Sequence, residues 1–139
     1  MRSTNLASIP AEGGSALRQQ DVRGSVLVVD DEPSIRHLLR ELLSDEGYEV
    51  RVAEDGVAAL GALAQWTPDV MLLDLAMPRM SGYELLAQWA PLNAGRTCVI
   101  VLSASRELDV AALHGATVLR KPFDLDEVLR TVDGIRQPA

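Results

Sequence analysis

A chain of 139 residues, 47% hydrophobic but only 4% aromatic, has room for one domain built on an aliphatic core. Its net charge of −7 argues against nucleic acid or an anionic membrane as a direct partner, and a single cysteine, Cys98, excludes an internal disulfide. No apolar run is long enough to span a bilayer and no apolar leader opens the chain, so a soluble, cytoplasmic protein is expected.

Residues 1–24 carry Pro10, Gly13, Gly14 and Gly24 among polar residues without periodicity, which predicts a flexible N-terminal tail. The tail balances to +1, leaving −8 on the remainder. Val26-Leu27-Val28-Val29 is a continuous aliphatic run of the kind found in strands buried on both faces, and it stops at Asp30-Asp31-Glu32. Pro33 suits the first turn of a helix. From there Ile35, Leu38, Leu39, Leu42 and Leu43 recur at helical spacing until Gly47. Tyr48, Val50 and Val52 alternate as a strand does, and Val57, Leu60 and Leu63 mark a second helix ending at Thr67-Pro68.

Val70-Met71-Leu72-Leu73 is another buried strand and runs into Asp74. A loop from Leu75 to Gly82 opens into a helix carrying Leu85 and Leu86. Residues 97–102 form a further strand ending at Ser103, in which Cys98 is expected to be a buried thiol. A short helix near 108–114, a brief strand at 117–119 and a final helix over 124–136 complete the domain, with 137–139 as a C-terminal tail. Strands alternating with helices in this way predict an α/β fold: a doubly wound five-stranded parallel sheet with five helices distributed over both faces.

In such a sheet ligands bind at the carboxyl ends of the strands, near the switch in strand order. Asp30, Asp31, Asp74, Ser103 and Lys121 all fall at predicted strand ends. Three carboxylates in one place repel unless a cation compensates, and an all-oxygen set favours a hard divalent ion such as Mg²⁺. Lys121 is the one lysine among thirteen basic residues, a compact point charge where the chain otherwise uses arginine. It would neutralise a carboxylate in the empty site and a phosphoryl oxygen in the filled one. Asp74 has the central position needed of a nucleophile forming an aspartyl-phosphate. His37 and His114 lack a second histidine or cysteine at ligand spacing and read as surface or capping residues.

The motifs Val28-Val29-Asp30-Asp31, Leu72-Leu73-Asp74-Leu75-Ala76-Met77-Pro78, Gly82, Val101-Leu102-Ser103-Ala104 and Lys121-Pro122-Phe123, in this order, resemble the receiver domain of bacterial two-component response regulators over residues 25–136. The resemblance implies a flavodoxin-like fold and a signalling module rather than an enzyme. It makes Asp74 the phosphoacceptor, charged from the phosphohistidine of a sensor histidine kinase or a phosphotransfer protein. Asp30, Asp31, Asp74 and the main-chain carbonyl of Ala76 would hold Mg²⁺. Ser103 becomes the switch hydroxyl, Lys121 the phosphoryl-binding ammonium and Ala104 a small residue leaving the phosphoryl group room. The Lys121–Pro122 bond is expected to be cis.

Two departures stand out. Where the family usually has an aromatic residue three positions before the lysine, this chain has Val118, and the segment from Ser103 to Lys121 is a few residues short. The usual serine–aromatic coupling therefore cannot operate in that form. Ala76 and Ser105 take the two positions that modulate attack of water on the aspartyl-phosphate, and a methyl group cannot orient water, so slow self-dephosphorylation is expected. A haloacid-dehalogenase-type phosphatase would need a second aspartate where Ala76 stands. A pseudo-receiver binding partners without phosphorylation is the other alternative. The expected partners are the kinase and a downstream protein target, with the chain acting either as a stand-alone receiver, monomeric or weakly dimeric, which is the favoured reading, or as a fragment of a larger regulator.

Overall fold

Five parallel strands lie in the order β2-β1-β3-β4-β5 in the computed structural model, which describes residues 23–136. In chain order the elements are β1 (Gly24–Val29), α1 (Pro33–Asp45), β2 (Tyr48–Ala53), α2 (Gly56–Leu63), β3 (Val70–Asp74), α3 (Gly82–Asn93), β4 (Cys98–Ser103), a 3₁₀ turn (Val110–Leu113), β5 (Thr117–Arg120) and α4 (Leu125–Arg136). The order reverses between β1 and β3, because the chain moves outward to β2 and then returns past β1. The expected tails at 1–22 and 137–139 lie outside the described residues. β1 begins at Gly24, inside the span assigned to the tail, and Arg23 is already tied down by its N–H to the Gly47 carbonyl and its guanidinium to Asp133.

The aliphatic runs are buried on both faces because each face carries a helical layer. Val26, Val28, Leu72, Ile100 and Leu102 meet Leu39 and Leu43 of α1 and Val128 and Val132 of α4. The alternate residues Leu27, Val29, Met71, Leu73 and Val101 meet Ala59 of α2 and Leu85, Leu86 and Trp89 of α3. Pro33 opens α1 at its first turn, where its missing N–H is no loss, and Gly47 follows the helix with a φ of 97°. Among the described residues, no helix is long and apolar enough to cross a membrane.

Two expectations need correction. The fourth of the five expected helices is only the 3₁₀ turn Val110–Leu113, so four α-helices cover the sheet. Asp109 caps that turn, and His114 and Gly115 end it in left-handed conformations, leaving too few residues for α-helical hydrogen bonding to propagate. Cys98 is exposed rather than buried: it is the first residue of β4, at the amino-terminal rim of the sheet.

Leu43 has no accessible surface and joins α1 to β1 and α4. Leu43→Ala is expected to destabilise the domain by about 2–5 kcal/mol, read by urea denaturation, and a loss below about 1 kcal/mol would show that the α1 contact is not a principal support.

Candidate functional site

The strand register gathers the polar strand ends at one rim. Val29 pairs with Leu73, which brings Asp30 level with Asp74, while Asp74 pairs with Leu102 and Ser103 with Arg120, one residue before Lys121. The Lys121 N–H donates to the Ser103 carbonyl at 2.8 Å, fixing the start of the β5–α4 connection beside β4. The Lys121–Pro122 peptide bond is cis.

Lys121 Nζ lies 3.3 Å from Asp30 Oδ2 and 3.6 Å from Asp74 Oδ1. Asp30, Asp31 and Asp74 each present one carboxylate oxygen within 4.8 Å of the others. Asp30 and Asp74 are buried and Asp31 faces solvent. The other Asp30 oxygen accepts the Glu32 N–H at 2.9 Å, and Asp74 Oδ1 accepts the Ala76 N–H at 3.2 Å. Burial and the nearby negative charge of Asp30 push the Asp74 carboxyl up to about 6, against the pull of Lys121 and the Ala76 N–H. Burial works against the charge on Lys121, but Asp30 and Asp74 together hold its ammonium above the usual lysine range. One lysine among three carboxylates leaves negative charge uncompensated, and the donors are all oxygen, so the set fits a hard divalent cation.

These groups open into a cleft of about 470 Å³ whose walls include Tyr83, Ser103, Ala104 and Leu108. Ser103 Oγ accepts the Ser105 N–H at 3.0 Å, and its own O–H has no protein acceptor among the described residues. Behind Asp74 the backbone packing is tight: a Cβ at Gly82 would come within 2.5 Å of the Asp74 carbonyl oxygen. Ser81 caps α3 directly behind, in a reciprocal pair with Glu84. Val118 lies away from the carboxylates, half-buried against the α2–α3 layer. Of the residues singled out in the sequence, Asp30, Asp31, Asp74, Ala76, Ser103, Ala104 and Lys121 thus border one cleft or its acidic floor, and Val118 does not.

Residues that shape the rim went unnoticed in the sequence. Arg79 pairs with Asp55 and Glu54, Tyr83 Oη accepts the Asp109 N–H at 3.2 Å, and Arg120 donates to the Ser105 carbonyl. Asp55, just before the apolar residues of α2, carries a readable N-cap signal. Its pairing with a residue across the β3–α3 loop does not.

The family model described as response regulator receiver domain matches residues 26–133. Sporulation initiation phosphotransferase F of Bacillus subtilis (strain 168) is 37% identical over 107 residues, covering 74% of this chain and 86% of that protein. DNA-binding transcriptional regulator NtrC of Escherichia coli (strain K12) is 42% identical over 115 residues, covering 80% of this chain but only 24% of that protein. The crystal structure of response regulator protein TrrA from Thermotoga maritima, in complex with Mg(2+)-BeF, has a TM-score of 0.71 and 34% identity, covering 80% of this chain and 97% of that one.

The elevated Asp74 carboxyl sets a pH signature. Because its value near 6 in the folded state exceeds the ordinary 3.8, the folded chain holds this proton more tightly than the unfolded chain. The group therefore favours folding most below about pH 4, and this contribution is lost as pH rises toward about 6. In metal-free buffer, Asp74→Asn should lack this decline and be more stable than the parent at about pH 8. A carbon-13 NMR titration placing the Asp74 carboxyl near the ordinary value of about 4 would contradict it.

Proposed function

The chain belongs to the response regulator receiver domain family, and from that premise we propose that it accepts a phosphoryl group on Asp74 from the phosphohistidine of a sensor histidine kinase or phosphotransfer protein. The observation that carries this reading is the joint placement of Asp74 within 3.6 Å of a half-buried lysine and within 4.8 Å of two further carboxylates. The relative from B. subtilis is itself named a phosphotransferase, which accords with transfer rather than hydrolysis.

Asp30, Asp31 and Asp74 would hold Mg²⁺, with the Ala76 carbonyl as a further oxygen ligand. When bound, Mg²⁺ supplies charge neutralisation for the carboxylates and for the phosphoryl oxygens. An Asp74 carboxylate oxygen forms the new bond to phosphorus as the phosphorus–nitrogen bond to the donor imidazole breaks, and the imidazole departs with the electron pair and takes up a proton. Lys121, held charged by its carboxylate neighbours, moves its attraction from those oxygens to a phosphoryl oxygen. The Ser103 O–H donates to another, and the exposed, small Ala104 leaves the entrance clear. Phosphorylation then switches contacts with a downstream protein. Val118 cannot supply an aromatic rotamer change to that switch.

Incubation with a small phosphodonor and Mg²⁺ should add about 80 Da by mass spectrometry, and Asp74→Ala should abolish the gain. An unchanged gain in that variant would move the phosphoacceptor elsewhere. With no water-orienting side chain at Ala76, the phosphorylated form should decay slowly with Mg²⁺ present; a half-life of seconds would show that another group activates water.

A further inference from the structure

The loop between β3 and α3 carries Ala76 and approaches the rest of the protein at few points. At its start Ala76 is bonded to Asp74, and the Gly82 N–H returns to the Leu75 carbonyl at 2.9 Å. Its far side meets the amino terminus of α2 and the Glu54–Asp55 pair that precedes it. Arg79 adopts φ 64°, a left-handed conformation that costs an arginine on the order of 1 kcal/mol per residue. That conformation aims its guanidinium back across the loop: Arg79 Nε donates to Asp55 Oδ2 at 2.6 Å, Nη2 contacts the same oxygen, and Nη2 lies 3.2 Å from Glu54 Oε2. Asp55 is buried and also accepts the Ala58 N–H at 2.8 Å, and that bond together with Arg79 holds its carboxyl below the ordinary range despite burial. Beside this ion pair the Gly56 N–H reaches the Met80 carbonyl at 3.3 Å, and a Cβ on Gly56 would stand 2.8 Å from that carbonyl and 2.6 Å from Met80 Cγ.

From these contacts we infer that Arg79 and Asp55 are positioning residues for the cation and phosphoryl site: they clamp the β3–α3 loop to the amino terminus of α2 and so fix Ala76 beside Asp74. The inference rests on the phosphoacceptor reading above. An arginine held in a left-handed conformation at a loop tip, when glycine would adopt it without cost, indicates that its side chain is what the position requires. Arg79 and Asp55 touch neither cation nor phosphoryl group. They act by limiting where the loop can sit, so their loss should weaken cation affinity while leaving the reaction at saturating cation close to that of the parent.

The test combines Mg²⁺ titration, followed by isothermal titration calorimetry, with the rate of phosphorylation by a small phosphodonor as Mg²⁺ is varied. Arg79→Ala keeps the backbone demand and removes the clamp, whereas Arg79→Gly relieves the backbone and also removes the clamp. Both should raise the Mg²⁺ dissociation constant about ten-fold, at the low end for groups that orient metal ligands from behind. The phosphorylation rate at saturating Mg²⁺ should stay within about two-fold of the parent, since no transition-state contact is lost. Asp55→Asn, which can still cap Ala58, should show the same loss, and the Arg79→Ala/Asp55→Asn double variant should lose no more than either single one. Gly56→Ala offers an independent displacement of the loop with the ion pair intact and should weaken Mg²⁺ in the same sense. Thermal unfolding confirms that each variant is folded at the assay temperature. Parent-like Mg²⁺ affinity in Arg79→Ala and Arg79→Gly, or additive losses in the double variant, overturns the clamp. If Arg79→Gly alone matches the parent, the position demands a backbone conformation and not a side chain, which also overturns it. Failure of the parent chain itself to gain a phosphoryl group on Asp74 refutes the underlying reading instead.

Discussion

Like charge held together at the edge of a sheet is the constraint on which the rest of this structure depends. Asp30 and Asp74 are both buried, and the register leaves them no room to move apart. In water two carboxylates at this separation would turn away from one another. Here one lysine divides its attraction between them at 3.3 and 3.6 Å, the Glu32 N–H takes the second Asp30 oxygen, and the Ala76 N–H shares Asp74 Oδ1 with the lysine. That compensation is incomplete, since the Asp74 carboxyl still titrates near 6. An incompletely neutralised anionic cluster is a poor way to stabilise a fold and a good way to bind something cationic.

Such a cluster persists because the scaffold beneath it is rigid. The strands that end in Asp30 and Asp74 are the two central ones, β1 and β3, with side chains packed between helices on each face. A close-packed aliphatic core of this kind responds to repulsion at its rim with little displacement, because any shift opens voids among Leu27, Leu72 and their neighbours. Charge repulsion is thus borne by a surrounding core whose stabilisation is far larger. Gly82 extends the same logic to the loop: its missing side chain lets α3 begin directly against the Asp74 carbonyl, so the carboxyl end of β3 is backed by a capped helix.

Between Ser103 and the start of β5 the chain forms a single 3₁₀ turn and no α-helix, and polar contacts fasten it. Ser105 joins three partners: its N–H goes to Ser103 Oγ, its carbonyl receives Arg120, and its hydroxyl donates to the Glu107 carbonyl at 2.8 Å. Asp109 ties the far end of the same stretch to Tyr83 on α3. The loop over the cleft is therefore fastened to the Ser103 hydroxyl at one end and to α3 at the other. Val118 is half-buried packing against the α2–α3 layer, without a polar side-chain atom to join these bonds.

How much of this was legible in the sequence follows from the range of the forces involved. The strands and the two long amphipathic helices were readable because burial imposes a periodicity on neighbours in the chain, as at Val26–Val29 and Leu38–Leu43. The acidic rim was readable too, since a parallel sheet sends every strand's carboxyl end to one side and only the residue after each apolar run had to be noted. The fourth helix was misjudged because Leu108 and Leu113 offer helical spacing, while the left-handed residues His114 and Gly115 and the cap at Asp109 stop it after one turn. Cys98 was misjudged because an apolar run marks a buried strand without marking which of its end residues reach solvent. Arg79 and Asp55 lie 24 residues apart, separated by α2 and β3, and neither follows a periodic pattern. Their pairing depends on the left-handed turn at Arg79, a conformation for which an arginine in sequence gives no signal, so the part of the site held by one side chain's direction was the part the sequence concealed.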